Sequence, residues 1–239
     1  MPLISVVTAV GPDDEKYLPT LVDSLKMQRL DDWELVISAD GPTTAGRAYA
    51  QDDQRITWLN SATQNGPAAA RNLALPTVRS PIFRNLDADD WLAGPDVLER
   101  TLAAFDHPNI DFVVGPTIDV LADGTERTFE GALRPGRIES GVLYQGWLAN
   151  NHIGLVHPTT MAVRTSTLWT YGGYPALPSS EDTALLLRIS QRTSGWLLDR
   201  PVTKHRQRAG SITSTTWHRD EFRSGRRTAF IRRICEPNA

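Results

Sequence analysis

The sequence predicts an α/β protein with a mostly parallel central sheet flanked by helices. Short β-branched runs, such as residues 4–10 and 33–38, alternate with amphipathic stretches through the first half of the chain. Turn residues close these runs, with Gly11-Pro12 after the first and Asp40-Gly41-Pro42 after the second. Strands that alternate with helices form right-handed βαβ units, so a parallel arrangement is expected at least in this half.

Each element of the first half has its own signal. Leu18, Leu21, Val22 and Leu25 recur at helical spacing and predict a helix after the first strand. The further elements predicted in this half are a strand at 56–59, a helix at 68–75 after the turn 65–67, a strand through 81–83 that ends at an acidic cluster, and a helix from 95 to 105.

The second half is less regular. Its predicted elements are strands at 112–114, within 157–163, at 195–198 and at 201–205, a hairpin turn at 122–125, a Gly- and Arg-rich loop at 131–141, and a helix at 183–189 capped by a serine of the pair 179–180. No linker or repeat separates the halves. We expect a single domain over residues 1–215.

Residues 216–239 are expected to form a basic helical extension. Six arginines lie between residues 219 and 233, and Phe222, Ala229, Phe230 and Ile234 recur near helical spacing. A basic amphipathic helix can lie on a membrane surface or dock its apolar side on the protein body. Docking is the preferred interpretation, and peripheral membrane contact is the alternative.

Charge, cysteine content and hydropathy indicate which cell compartment and which binding partners to expect. The formal net charge of −3 gives no general attraction to nucleic acid. The single cysteine, Cys235, permits no internal disulfide, which fits a reducing compartment. The N-terminal residues do not resemble a signal peptide, and no apolar run reaches membrane-spanning length. A cytoplasmic protein is expected, with possible peripheral contact at the inner face of the membrane. The oligomeric state is not predicted.

The acidic cluster is the strongest local signal for chemistry. Asp87 and Asp89 are two residues apart where a buried strand ends, so both can face a crevice at the edge of the sheet. Mg²⁺ and Mn²⁺ prefer oxygen ligands, and such ions commonly complete their coordination with waters and substrate phosphates. The pattern therefore suggests a metal and diphosphate site. A solvated acidic turn is the alternative, because Asp-x-Asp alone is a short motif.

Four further segments follow a fixed order along the chain and add to the evidence of the acidic cluster. They are residues 4–10, 35–41, 65–72 with its Gly-x-x-x-Ala-Arg-Asn pattern, and 172–175 followed by Glu181-Asp182. Together with the acidic cluster they resemble the family 2 glycosyltransferases of the GT-A fold, over about residues 4–211. The resemblance implies a single domain with a Rossmann-like sheet, in which residues 1–115 form the nucleotide-binding half and residues 116–215 form the acceptor and catalytic half. It also implies inverting, metal-dependent transfer of a sugar from a nucleotide diphosphate sugar, commonly a UDP-sugar, to an acceptor hydroxyl.

The resemblance also implies roles for individual residues. Asp182 matches the catalytic base, and a carboxylate matched to the helix dipole is its structural alternative. Asp87, Asp89 and His205 would hold Mn²⁺ or Mg²⁺, and a strand histidine with satisfied hydrogen bonds is the alternative for His205. The implied nucleotide-binding set is Ala9, Asp40, Gly66, Arg71, Asp87 and Ala88. The residues implied at the acceptor or the diphosphate are Glu181, Trp91, Arg206 and Arg208.

The acceptor is not identified by the sequence. Trp147, Asn151, His152 and His157 carry aromatic, amide and imidazole groups that suit a sugar, although core and loop packing is the preferred interpretation. A catalytically weak module that binds nucleotide sugars is an alternative function. A sugar nucleotidyltransferase is less favoured, because residues 11–15 after the first strand are acidic and would repel a triphosphate. A haloacid dehalogenase-type phosphohydrolase is disfavoured because the first strand carries no aspartate.

Overall fold

A mixed eight-stranded sheet lies at the centre of the fold, and a smaller four-stranded sheet lies beside it. The computed structural model describes residues 1–128, 131–208 and 221–236. The strands are β1 (Ile4–Val10), β2 (Trp33–Ala39), β3 (Ile56–Leu59), β4 (Ile82–Asn85), β5 (Trp91–Leu92), β6 (Ile110–Val114), β7 (Thr117–Val120), β8 (Glu126–Thr128), β9 (Gly136–Ile138), β10 (Ala162–Arg164), β11 (Ser194–Leu197) and β12 (Thr203–Arg206).

Eight α-helices accompany these strands in the described part of the chain. They are α1 (Leu18–Lys26), α2 (Ala45–Asp52), α3 (Pro67–Ala74), α4 (Val97–Ala104), α5 (Val142–Ala149), α6 (Thr165–Thr170), α7 (Glu181–Ser190) and α8 (Glu221–Cys235). The predicted α/β class is confirmed.

The strand order of the large sheet is β3-β2-β1-β4-β10-β6-β11-β9, and that of the small sheet is β5-β12-β7-β8. β3, β2, β1 and β4 are mutually parallel, as predicted for the first half. β10 runs antiparallel to both of its neighbours, β4 and β6, so the second half of the sheet is mixed. β1 and β2 are almost wholly buried, which explains why their sequences are continuous apolar runs rather than alternating ones.

Three helices and two short strands have no counterpart among the predicted elements. The helices are α2, α5 and α6, and in α5 the apolar residues are nearly continuous and so have no clear period. The strands are β5, which has only two residues, and β9, which lies within the predicted loop at 131–141. β9 exists through its antiparallel pairing with β11. A pairing between segments so distant in the chain leaves no local sequence signal.

The helix predicted at 183–189 begins earlier, at Glu181. Ser180 occupies the N-cap position, but its side chain makes no capping hydrogen bond. Its backbone lies in the left-handed region, with φ of 63°. A serine therefore occupies the predicted cap position, but the expected capping hydrogen bond of its side chain is wrong. An N-cap serine that accepts a hydrogen bond normally has an extended backbone, which this turn does not allow.

The described part of the C-terminal extension docks on the body, as preferred. Ile231 and Cys235 are 2% and 3% exposed and belong to the core cluster that also contains α7. The Tyr144 hydroxyl donates a hydrogen bond of 2.9 Å to Glu236. The predicted apolar stripe is partly wrong, because Ala229 and Phe230 are exposed. The proposed boundary at 215/216 lies outside the described residues, as does the side chain of residue 222.

Within the described ranges, every helix is too short or too polar to cross a bilayer.

Candidate active site

A cavity of about 480 Å³, which we call the main cavity, opens where β1 and β4 end. β1 and β4 are parallel neighbours, so their carboxyl ends meet at one edge of the sheet. Ala9 near the end of β1 and the turn Asp87-Ala88-Asp89 after β4 line this cavity together. Glu181 and Asp182, at the start of α7, line the same cavity.

Arg71 joins three of the motifs found in the sequence. It lies on α3 with only 5% of its surface exposed. One guanidinium nitrogen, Nη2, donates to Asp87 at 2.6 Å, and the other, Nη1, pairs with Glu181. Its guanidinium carbon also lies 5.3 Å from the centre of the Tyr174 ring. Because Glu181 is the first residue of α7, this buried ion pair fixes the helix start relative to the acidic turn.

Asp182 has the electrostatic properties expected of a base. Burial, followed by the charges of Glu181 and Asp87, raises the pKa of Asp182 from 3.8 to about 7. Arg71 opposes this shift. The Asp182 carboxylate accepts a hydrogen bond of 2.6 Å from the Thr183 amide. A carboxylate with a pKa near the working pH can take a proton from a substrate hydroxyl.

The acidic turn is held by arginines from the segment that includes the end of β12. Arg208 Nε donates to Asp89 at 2.6 Å, and Arg208 Nη2 donates to Asp14 at 2.7 Å. The Arg206 backbone donates at 3.1 Å to Asp90, whose other carboxylate oxygen accepts from Thr159 at 3.0 Å. Burial and the neighbouring carboxylates raise the pKa of Asp90 well above its ordinary value. Asp90 is thus a structural residue of the turn, while Asp87 and Asp89 face the cavity.

Two histidines form the remaining polar wall. His205 on β12 and His157 both line the main cavity, and their ring centres lie 4.3 Å apart. His205 Nδ1 is 3.1 Å from the Asp119 carboxylate. Such a partner fixes the orientation of the ring and leaves Nε2 as the possible ligand atom. Burial, followed by the neighbouring His205, lowers the pKa of His157 to about 4, so His157 is neutral.

The side chains of Asp87, Asp89 and His205 suit a cation that completes its coordination with a substrate. Within the described ranges, no three histidine, cysteine or carboxylate side chains are close enough together to hold a metal alone. Asp87, Asp89 and His205 nevertheless present oxygen and imidazole donors to one cavity. The Arg208 guanidinium already places a positive charge against Asp89. Magnesium sites in enzymes commonly combine one or two carboxylates with substrate phosphates.

Most of the residues predicted for the site meet in the main cavity. Those that line it are Ala9, Arg71, Asp87, Ala88, Asp89, Glu181, Asp182, His205 and Arg208. Four predicted residues lie outside its wall: Asp40, Gly66, Trp91 and Arg206.

Asp40 and Gly66 support the start of α3. Asp40 Oδ1 accepts hydrogen bonds from the Asn65 and Gly66 amides at 2.7 and 2.9 Å. Gly66 has φ of 91°, a conformation that glycine adopts readily at the start of this helix. The role of Asp40 toward a nucleotide base stays a prediction.

Trp91 and Arg206 form a second supporting contact. The Arg206 guanidinium carbon lies 4.7 Å from the centre of the Trp91 ring, a cation–π geometry. Arg206 Nε also donates at 3.2 Å to the Asp89 carbonyl. These two residues therefore brace the acidic turn.

Sequence reasoning missed Asp14 as a residue of the cavity wall. The acidic character of residues 11–15 argues against a triphosphate, but a carboxylate so close to the end of β1 also approaches the edge of the sheet where the site lies. His157 was considered for the acceptor side, and it does line the main cavity. Trp147, Asn151 and His152 line a separate, adjoining cavity instead.

Comparison with known proteins identifies the family. The model of "Glycosyl transferase family 2" matches residues 5–170. An uncharacterized glycosyltransferase of Methanocaldococcus jannaschii is 35% identical over 104 residues, which cover 41% of this chain and 36% of the relative. The chain therefore spans about a third of that relative's length.

Solved structures agree on the fold. S. aureus TarS 1-349 in complex with UDP-GlcNAc has a TM-score of 0.72 at 20% identity, covering 90% of this chain and 61% of that one. The mannosyltransferase PcManGT of Pyrobaculum calidifontis, in complex with GDP-Man and Mn²⁺, has a TM-score of 0.66 at 17% identity, covering 100% of this chain and 66% of that one. The GT-A fold is thereby confirmed, and the family match over more than half of the sequence shows that this chain belongs to glycosyl transferase family 2.

Proposed function

We propose that the chain is an inverting, metal-dependent glycosyltransferase that moves a sugar from a UDP-sugar to an acceptor hydroxyl, with Asp182 as the base. The observation that carries the proposal is the position of Asp182. It shares the main cavity with Asp87 and Asp89, and its carboxyl has a pKa raised to about 7. Family membership and the UDP-GlcNAc complex of a structural neighbour support the donor class.

The donor would lie between the end of β1 and the acidic turn. We assign the diphosphate to this region because Arg71, Arg208 and the candidate metal ligands line the same cavity. Asp89 and His205, with Asp87, would hold Mn²⁺ or Mg²⁺, which would stabilise the charge on the leaving diphosphate. A structural neighbour in complex with GDP-Man and Mn²⁺ supports a divalent ion.

Arg208 would then change partner. In the structure it neutralises Asp89 and Asp14 together. If Asp89 held a divalent cation, the Arg208 guanidinium would be able to engage a phosphate oxygen in the charged geometry that arginine favours.

Asp182 would take the proton from the acceptor hydroxyl as that oxygen attacks the anomeric carbon. Direct displacement places the base on the face opposite the leaving group. Asp182 lines the same cavity as Asp87 and Asp89, which supports a base that can reach an acceptor beside the donor. Glu181 is unsuited to the same task because it is buried and paired with Arg71.

Calorimetric titration of the whole chain with UDP, ADP and GDP, with Mn²⁺ or with chelator, tests the donor half of the proposal. UDP in the presence of Mn²⁺ is expected to bind at least about tenfold more tightly than ADP or GDP, since each lost hydrogen bond in a dry pocket costs about 1–3 kcal/mol. Equal affinity for the three diphosphates would refute the UDP assignment. Tight UDP binding without any transfer to a broad panel of acceptors would favour the binding-module alternative, and turnover of UTP with a sugar phosphate would favour a nucleotidyltransferase.

A further inference from the structure

A second cavity, of about 200 Å³, lies beside the main cavity, and we call it the apolar cavity. Its aliphatic wall is formed by α5, by α7 and by the segment that leads out of the turn after α5. The residues are Leu143, Ile153, Leu155, Val156, Pro158, Leu186 and Leu187. Of the described residues that line the apolar cavity, none is an aspartate, glutamate, lysine or arginine. A wall of this composition favours an apolar group, because apolar surface gains free energy when it leaves water.

The size of the apolar cavity suits a chemical group larger than a single water molecule. Apolar cavities of roughly 150 Å³ bind benzene, whereas a buried water needs two to four polar partners. The polar side chains in the described wall are those of His157 and Thr183. A short alkyl chain or an aromatic ring therefore matches both the volume and the chemistry of this space.

The fold fixes the wall of the apolar cavity through a close approach to α5. Gly146 of α5 faces Leu155, and a Cβ at position 146 would lie 2.1 Å from Leu155 Cδ1. The turn before this segment has left-handed backbone at Asn151 and His152, with φ of 48° and 64°. The His152 amide donates a hydrogen bond of 2.9 Å to the Trp147 carbonyl, which ties the turn to α5. Such conformations concentrate at binding and catalytic sites.

The apolar cavity adjoins the part of the main cavity that holds the proposed base. The residues that line both cavities are Ile153, Gly154, His157, Pro158 and Thr183. Asp182 lines the main cavity alone, but Thr183 Oγ1 lies 3.4 Å from the Asp182 carboxylate. Ile153 is 61% exposed and adds apolar surface where the two cavities meet. A molecule with a hydroxyl at Asp182 can therefore extend an apolar group past Thr183 into the apolar cavity.

We infer that the apolar cavity binds an apolar group of the acceptor, an alkyl chain or an aromatic ring attached to the molecule whose hydroxyl is placed at Asp182. This inference rests on the proposed transferase function and extends it to the acceptor. The donor is an unsuitable occupant because its diphosphate is charged, and burial of a charge among apolar side chains is costly. Asp87, Asp89 and Arg208, which we assign to the donor and its metal, line the main cavity and are not among the residues of the apolar cavity.

Binding of small alcohols to the whole chain tests the inference. The chain is saturated with UDP and Mn²⁺ and then titrated calorimetrically with 1-butanol, 1-hexanol, benzyl alcohol and 6-amino-1-hexanol. We expect 1-hexanol to bind at least about tenfold more tightly than 1-butanol, since each buried methylene contributes about fourfold in affinity. The amino alcohol has the same chain length but ends in an ammonium group, so it should lose this gain. Comparison of 1-hexanol with benzyl alcohol distinguishes a chain from a ring.

Transfer to the same alcohols links the apolar cavity to the acceptor. With an α-linked UDP-sugar that the chain binds, kcat/KM for 1-hexanol should exceed that for 1-butanol by at least about tenfold. The reason is that the buried chain stabilises the transition state for an alcohol whose hydroxyl lies at Asp182.

Variants assign the gain to the apolar cavity. Val156 lines this cavity but not the main cavity, so Val156→Phe should fill the space and abolish the gain with UDP affinity unchanged. Val156→Thr keeps the shape of the side chain but adds a hydroxyl to the wall, so it should reduce the gain in a folded protein. Val78→Phe is the matched control, because Val78 is also partly exposed and lines neither cavity, and it should preserve the gain.

Four results would overturn the inference: equal affinity for 1-butanol and 1-hexanol, equal affinity for 1-hexanol and its amino derivative, a gain that persists equally in Val156→Phe and Val78→Phe, or tight binding of 1-hexanol without faster transfer to it. Failure of the proposed function is distinguishable from these results. It would appear in the first step of the experiment, as a wild-type chain that does not bind UDP.

Discussion

Replacing Asp182 with asparagine should slow transfer and stabilise the protein at the same time. The carboxylate has a folded pKa of about 7, against an ordinary value of 3.8. Between these values the folded chain holds a proton that the unfolded chain has lost, so the free energy of unfolding falls as the pH rises. The destabilisation is complete above pH 7. The asparagine side chain would carry no charge, and its oxygen can still accept the hydrogen bond from the Thr183 amide.

The size of the effect follows from the shift. A difference of roughly 3 pKa units corresponds to about 4 kcal/mol. Part of this is shared with Glu181 and Asp87, whose charges help to raise the pKa. We therefore expect Asp182→Asn to be about 2–4 kcal/mol more stable than the wild type at pH 8, with a gap that narrows as the pH is lowered from 7 toward 5.

Two assays read out the prediction. Urea unfolding at a series of pH values gives the stability gap, and transfer at pH 8 should fall at least ~10²-fold with UDP affinity preserved. Asp96→Asn is the matched control, because Asp96 also directly precedes a helix, α4. Burial raises the pKa of Asp96, but its arginine partners lower the pKa by more, so the net shift is downward. Its stability gap should have the opposite sign. A variant Asp182→Asn with unchanged stability at every pH and near-normal transfer would show that the carboxylate only supports the helix start.

Three further predictions address the rest of the account. Asp89→Asn should remove the gain in UDP affinity given by Mn²⁺, measured by calorimetry, while the exposed hairpin variant Asp123→Asn should retain it; a Mn²⁺ effect of equal size in both would exclude Asp89 as a ligand. Arg71→Ala should lower the free energy of unfolding by about 3–5 kcal/mol in urea, because it leaves buried Glu181 unpaired. An equally small loss in Arg71→Ala and in the exposed α2 variant Arg47→Ala would contradict the structural role of this ion pair. Deleting residues from 216 onward should lower the melting temperature and have little effect on binding to anionic vesicles. If the deletion instead removes salt-sensitive vesicle binding and leaves the melting temperature unchanged, the extension contacts membranes rather than docking on the body.

Local patterns were sufficient for most of the first half of the fold, where only α2 and β5 were not predicted. β1 and β2 are buried within the sheet, so their apolar composition alone revealed them. β9 depends on pairing with β11, more than fifty residues away in the sequence, and nothing within residues 136–138 specifies that partner. The antiparallel insertion of β10 between β4 and β6 was hidden for the same reason.

In the candidate site too, short motifs revealed some residues, whereas the contacts between distant segments were evident only from the structure. The acidic turn and Arg71 were found from short motifs whose residues do face one cavity. Arg71 pairs with Glu181, which leaves Asp182 as the proposed base. This pairing depends on the approach of the start of α7 to α3, which no short motif reveals. Asp14 has no motif of its own, and its position became evident from its contact with Arg208 across the chain.

The most direct test of the central claim is the configuration of a transfer product. The whole chain is incubated with an α-linked UDP-sugar that it binds, Mn²⁺ and methanol as a small surrogate acceptor, and the methyl glycoside is examined by proton NMR. Methyl glycosides do not interconvert in neutral solution, so the anomeric coupling reports the stereochemistry of the enzymatic step. We predict the methyl β-glycoside from the α-linked donor, with formation lost in Asp182→Asn. The methyl α-glycoside, or β-product formed equally well by Asp182→Asn, would contradict direct displacement assisted by Asp182.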